Sequence, residues 1–163
     1  MQPDEILTLF DYTYWARDRL LAAADGLPDE EFARDRGFTC GSLRGMLVHS
    51  MEAEALWTDR FLGEPVGPPV GEDELTSVEA LKVRWQAQES RLHRFLESVT
   101  EKSLQDDFIF RRRDGEEMRT PLWALLIQVV NHSTQHRSEA AEVLTMLGRS
   151  PGGLDFITFV WQR

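Results

Sequence analysis

Four stretches of this 163-residue chain repeat apolar side chains at spacings of three and four, and that period confines the fold to packed helices. The first runs from about Asp4 to Ala24, with Leu7, Phe10, Tyr14, Ala16 and Leu21 on or near one stripe; Asp25-Gly26-Leu27-Pro28 ends it. The second starts at Ser42, a good N-cap behind Gly41. Its seam reads Leu43, Met46, Leu47, His49, Ala53, Leu56 and Trp57, until Gly63 stops it and Pro65, Pro68 and Pro69 mark a long loop. The third opens on a capping box, Thr76-Ser77-Val78-Glu79, and carries Val78, Leu81, Trp85, Leu92, Phe95 and Val99. The fourth is expected to start with Thr120 as N-cap and Pro121 at the first position. Its seam runs Leu122, Leu125, Val129, His132, His136, Ala140, Val143 and Leu147, and Gly148 closes it.

Shorter features fill the gaps. Asp29-Glu30-Glu31-Phe32 reads as a turn of helix. Residues 106–119 break the helical period, and Phe108-Ile109-Phe110 with the Asp114-Gly115 pair read as a small hairpin. The tail Leu154-Asp155-Phe156-Ile157-Thr158-Phe159-Val160-Trp161 reads as a short fifth helix covering a bundle end. The chain is thus predicted to be all-α, with a hairpin before the last long helix and a short C-terminal helix. One domain over residues 1–163 is expected, since that length buries a proper core and no internal repeat interrupts it.

Bulk properties exclude several function classes. A net charge of −10 repels a phosphate backbone, so no nucleic-acid partner is expected. The basic run Arg111-Arg112-Arg113 sits beside Asp114, Glu116 and Glu117, which makes it a turn of mixed charge. No apolar run approaches the roughly 18 residues of a membrane span. The opening Met1-Gln2-Pro3-Asp4-Glu5 is polar and acidic, so no leader is expected, and Cys40, the only cysteine, fits a reducing compartment. A cytoplasmic protein with no membrane partner is the expectation.

Three of the four histidines fall on predicted core-facing positions. His132 and His136 are one turn apart, so their imidazoles share a helix face, and His49 on another long helix completes a tripod. Buried imidazoles need a hydrogen bond or a ligand. Neutral imidazole is the commonest nitrogen ligand for zinc-like ions, and three protein ligands with an open fourth position is the usual catalytic arrangement. His93 lies off its stripe between Glu89 and Glu97 and is expected at the surface. Glu139, seven residues after His132, is a candidate acceptor for an imidazole N–H; Glu52 and Glu54 are also near the ligands in sequence. No HExxH occurs, so a helix-borne metalloprotease is unsupported.

The chain resembles the DinB-like/YfiT-like superfamily of damage-inducible metalloenzymes, which is unrelated to the lesion-bypass polymerase of similar name. The resemblance rests on Leu7 to Leu21, on Ser42-Leu43 through His49 to Trp57, on Thr120 to Gly148 with Asn131-His132-Ser133-Thr134-Gln135-His136-Arg137, and on Leu154-Asp155-Phe156. It implies an up-down-down-up four-helix bundle in which His49, His132 and His136 hold a divalent metal ion. Where many members carry glycine and then glutamine after His136-Arg137, this chain has Ser138 and Glu139. The resemblance also implies a homodimer, and a reaction that varies between members: transfer of a low-molecular-weight thiol such as bacillithiol, or mycothiol-dependent isomerisation.

The leading expectation is therefore a divalent-metal-dependent S-transferase acting on a small thiol and an electrophile, with zinc or nickel as the ion. Metal-dependent hydrolysis is the alternative enzyme, and a non-catalytic metal-binding stress-response module is the alternative outside catalysis. Candidate catalytic residues are Glu139, Arg137 as anchor for an anionic substrate group, and Trp57 as a pocket wall two turns beyond His49. Trp85, Trp123 and Trp161 are expected to pack mostly in and around the core. Cys40, two residues before the Ser42 cap, reads as an ordinary connector residue.

Overall fold

In the computed structural model, which describes residues 1–71, 74–112 and 114–163, four long helices take up the four periodic stretches. They are α1 (Pro3–Ala24), α3 (Leu43–Leu62), α4 (Val78–Leu96) and α6 (Leu122–Met146). Between and after them come α2 (Asp29–Ala33), α5 (Glu101–Gln105), the strands β1 (Asp107–Arg111) and β2 (Glu117–Pro121), and α7 (Phe156–Gln162). The chain is mostly helical, and among the described residues no helix is long and apolar enough to cross a membrane.

Local signals set most of the ends. Ser42 caps α3, its Oγ accepting from Gly45 N at 2.9 Å. Gly63 ends α3 in the left-handed region at φ 67°, where a side chain would be strained. The cap of α4 is Ser77, whose side chain accepts from Ala80 N, rather than Thr76. The start of α6 differs from expectation: Thr120 and Pro121 close β2, and the helix begins at Leu122. Thr120 is paired with Phe108 across the ladder, so its backbone is already committed to the sheet. The helix α5, capped by Thr100 and Ser103, went unpredicted because five residues carry too little periodicity to read.

The hairpin is antiparallel, with Asp107 opposite Pro121 and Arg111 opposite Glu117. Arg111 pairs with Glu117, and Arg112 with Asp114 and Glu116, so the turn is of mixed charge as expected; Arg113 lies outside the described residues.

α6 packs against α1 and α3, and α4 packs against the same two helices. The interior holds two apolar clusters. One contains Leu20, Phe32, Leu43, Met46, Leu47, Leu81, Trp85 and Val143; the other contains Ile6, Phe10, Leu92, Leu96, Leu122, Leu126 and Val129. Each fully buried Leu or Phe of this kind contributes about 1.5–3 kcal/mol. Trp85 is buried as expected, whereas Trp123 is 37% exposed and Trp161 77% exposed. Trp161 lies on α7, a short helix that contacts α1 and leaves its own far side uncovered.

Candidate metal centre

The line of α3 that enters the core is Leu47, Ser50, Glu54, Thr58 and Phe61. Three of those five positions are polar, and each is bonded. Glu54 accepts from Tyr14 Oη at 3.0 Å and from Trp85 Nε1 at 3.4 Å. Gln88 Nε2 donates to Thr58 Oγ1 at 2.6 Å, and the hydroxyls of Ser50 and Ser133 meet at 3.3 Å. Periodicity of apolar residues passes over such a line and selects its neighbour, His49-Ala53-Trp57. His49 is consequently not a core residue: it is exposed on the flank of α3 facing α6.

That flank is where the histidines meet. His132 is half-buried and His136 buried on α6. The ring centroids of His49 and His132 are 5.1 Å apart, those of His49 and His136 4.7 Å, and those of His132 and His136 4.6 Å. Burial, and after it the neighbouring imidazoles, push His132 down to about 4, so it is neutral at pH 7 and keeps a nitrogen lone pair for coordination. Burial also lowers His49. His136 Nδ1 lies 2.9 Å from Glu139 Oε2. A carboxylate can only accept, so Nδ1 carries the proton and Nε2 is the ring's free donor atom, a standard way to orient a metal-binding imidazole. His93 is not one of these rings; it is half-buried rather than on the surface, with its ring 5.4 Å from that of Tyr14.

One residue joins the cluster unannounced. The donor atoms of Cys40, His49 and His136 all lie within 4.8 Å of one another. His132 stands beside that set rather than within it. No spacing in the sequence points to Cys40, because the contact is made by the connector between α2 and α3 folding back. The donors, neutral imidazoles with a thiol, suit a borderline divalent ion such as zinc or nickel better than magnesium or calcium.

A cavity of about 500 Å³ reaches this cluster through His49 and His132. Leu56 and Trp57 of α3, Arg84, Gln88 and Arg91 of α4, Gln128 of α6 and the loop at Val66–Pro69 line the rest. Two carboxylates pin that loop: Asp59 Oδ2 accepts from Gly67 N at 3.2 Å and Glu52 Oε2 from Val70 N at 3.0 Å. Trp57 is held from behind by Phe110 of the hairpin, ring centroids 5.1 Å apart and near perpendicular. Arg137 lies elsewhere. It is 2% exposed, donates to Ser133 Oγ and Thr134 Oγ1 at 2.9 Å each, and stands 5.2 Å from the Tyr12 ring. The arginines at the cavity are Arg84 and Arg91.

The profile of the DinB family matches residues 1–163. Protein DinB of Bacillus subtilis (strain 168) is 24% identical over 163 aligned residues, covering 94% of this chain and 92% of the relative. A helical chain whose histidines converge in this way, matched along its whole length, belongs to the DinB family.

Proposed function

We propose that this protein is a divalent-metal-dependent enzyme whose ion is held by His49, His132 and His136 and which transfers a low-molecular-weight thiol to an electrophile. The observation that carries this reading is the cavity ending on His49 and His132, since a site built only for structure has no need of a substrate-sized approach. A bound divalent cation supplies stabilisation of a thiolate at neutral pH. The chain supplies the rest. Glu139 holds the His136 ring in place, Trp57 offers an apolar wall for the electrophile, and Arg84 brings positive charge to the cavity, where Arg91 is paired with Asp59 and Glu64. In the transfer, the thiol sulfur forms a bond to carbon, the leaving group departs with its electron pair, and the thiol proton passes to solvent. The reading includes the up-down-down-up order of the four long helices, which their pairwise packing supports, a cytoplasmic setting, and a homodimer that sedimentation would detect directly.

A second reading, a non-catalytic metal-binding module, draws support from Cys40, because a fourth protein donor is typical of closed structural sites. One experiment separates the two. Cobalt- or nickel-loaded protein is titrated with bacillithiol, mycothiol and glutathione while the metal spectrum is followed. The transferase reading expects at least one thiol to perturb the spectrum. If none does, and the loaded protein instead cleaves an ester or amide, a hydrolase replaces it; if neither occurs, the module stands.

A further inference from the structure

We infer that Cys40 is a fourth protein ligand of the metal, donating its thiolate from the side of the histidine cluster turned away from the substrate cavity. The inference rests on the metal-site reading above and adds to it a donor and a direction. The cluster has two distinguishable faces. His49 and His132 line the cavity, whereas His136 and Cys40 do not. Cys40 is nonetheless within 4.8 Å of the donor atoms of both His49 and His136. It therefore approaches the shared centre from a side that the cavity does not reach, so a small molecule entering by the cavity would bind as a fifth ligand.

The segment carrying Cys40 is built to hold it there. Arg36 N donates to Gly41 O at 2.9 Å, Gly41 N to Phe38 O at 2.8 Å and Ser42 N to Cys40 O at 2.8 Å. Gly41 sits at φ 69°, a conformation that any side chain would strain, and it tightens the turn. Arg36 is tied in turn to Glu31 of α2 at 2.8 Å. The Cys40 side chain packs half-buried against the cluster that contains Leu43, Leu47 and Ala140. A thiol on a braced turn can meet an ion without the turn refolding, so little ordering entropy opposes coordination. It is the only cysteine in the chain, so an internal disulfide cannot claim it.

The chemistry follows from the donor set. Three neutral imidazoles leave the full double positive charge of the ion; a thiolate halves it, and the thiol proton is released to solvent. A soft sulfur donor also shifts preference toward zinc, cobalt and nickel and away from magnesium and manganese. With the protein filling the rear position, exchange of bound small molecules is confined to the face lined by His49 and His132.

The test uses the full chain, stripped by chelator and titrated with cobalt(II) in the absence of any small thiol. The wild type is expected to develop a near-ultraviolet thiolate-to-cobalt charge-transfer band that saturates at one equivalent. Cys40→Ser should bind cobalt with its visible d–d bands but without that band, and with affinity weaker by an order of magnitude or more. Alkylation of Cys40 by iodoacetamide in the wild type is the second measurement, independent of how the variant folds. Cobalt loading should slow it by an order of magnitude or more. Cobalt binding with no charge-transfer band and unchanged alkylation would overturn the Cys40 assignment and leave the three-histidine reading intact. Failure of the wild type to bind cobalt at all would overturn both.

Discussion

Three imidazoles from two helices can share an ion only if each offers a neutral nitrogen. Here burial keeps His132 unprotonated at pH 7, and Glu139 fixes the His136 tautomer. His132→Ala/His136→Ala should therefore lose stoichiometric divalent metal, whereas His93→Ala, whose ring lies tilted against Tyr14 outside the cluster, should keep it. Equilibrium dialysis with metal analysis reads both, and full retention in the double variant would sink the site. Glu139→Ala keeps the proposed ligands but releases the His136 ring, so metal affinity is expected to fall by roughly 10–100-fold.

Elements place those residues. α3 carries His49 at one level and the buried Ser50, Glu54 and Thr58 at neighbouring ones, so its register decides both the core and the site. Its first turn is fixed by the Ser42 Oγ bond to Gly45 N, and Ser42 is buried. Ser42→Ala should cost about 1 kcal/mol. In urea this appears as a lower midpoint with an unchanged slope. A variant as stable as its parent would mean that the Gly45 amide finds another acceptor. The hairpin has a role beyond joining α5 to α6, because Phe110 on β1 holds Trp57 at the cavity.

At the scale of the molecule, the two apolar clusters share the interior with polar side chains, and Glu54 is one of two groups with a large shift that set its pH response. Burial pushes its carboxyl from 4.5 up to about 7, against hydrogen bonds from Tyr14 and Trp85 that pull it down. Between those values the folded state holds more of the Glu54 proton than the unfolded one, so the Glu54 contribution to stability falls as pH rises through the window. His132 works oppositely: its folded value lies below its unfolded one, and its contribution is lost as pH falls from 6.5 toward 4. Glu54→Gln removes the first effect. Tyr14 can turn its hydroxyl to accept from the new amide while Trp85 donates to its oxygen. With chelator present, the stability of the Gln variant relative to wild type should rise by about 3 kcal/mol between pH 4.5 and 7 and then level off. Urea titrations across that range measure it; an offset independent of pH would count against an ionising Glu54.

The sequence by itself determined the long helices, their Ser and Gly boundaries, the hairpin and the histidines worth testing, because period, capping and turn chemistry act within a few residues. Only the tertiary structure decided which side of α3 faces inward. Its core line is polar at Ser50, Glu54 and Thr58, and those residues are tolerable only because Tyr14, Trp85, Gln88 and Ser133 arrive from other helices to bond them. The same holds for the start of α6, where cross-strand pairing with Phe108 claims Thr120, and for the burial of Arg137. Cys40 is the clearest case: its nearness to His49 and His136 comes from a connector folding back on the bundle, a long-range contact that leaves no local period to read.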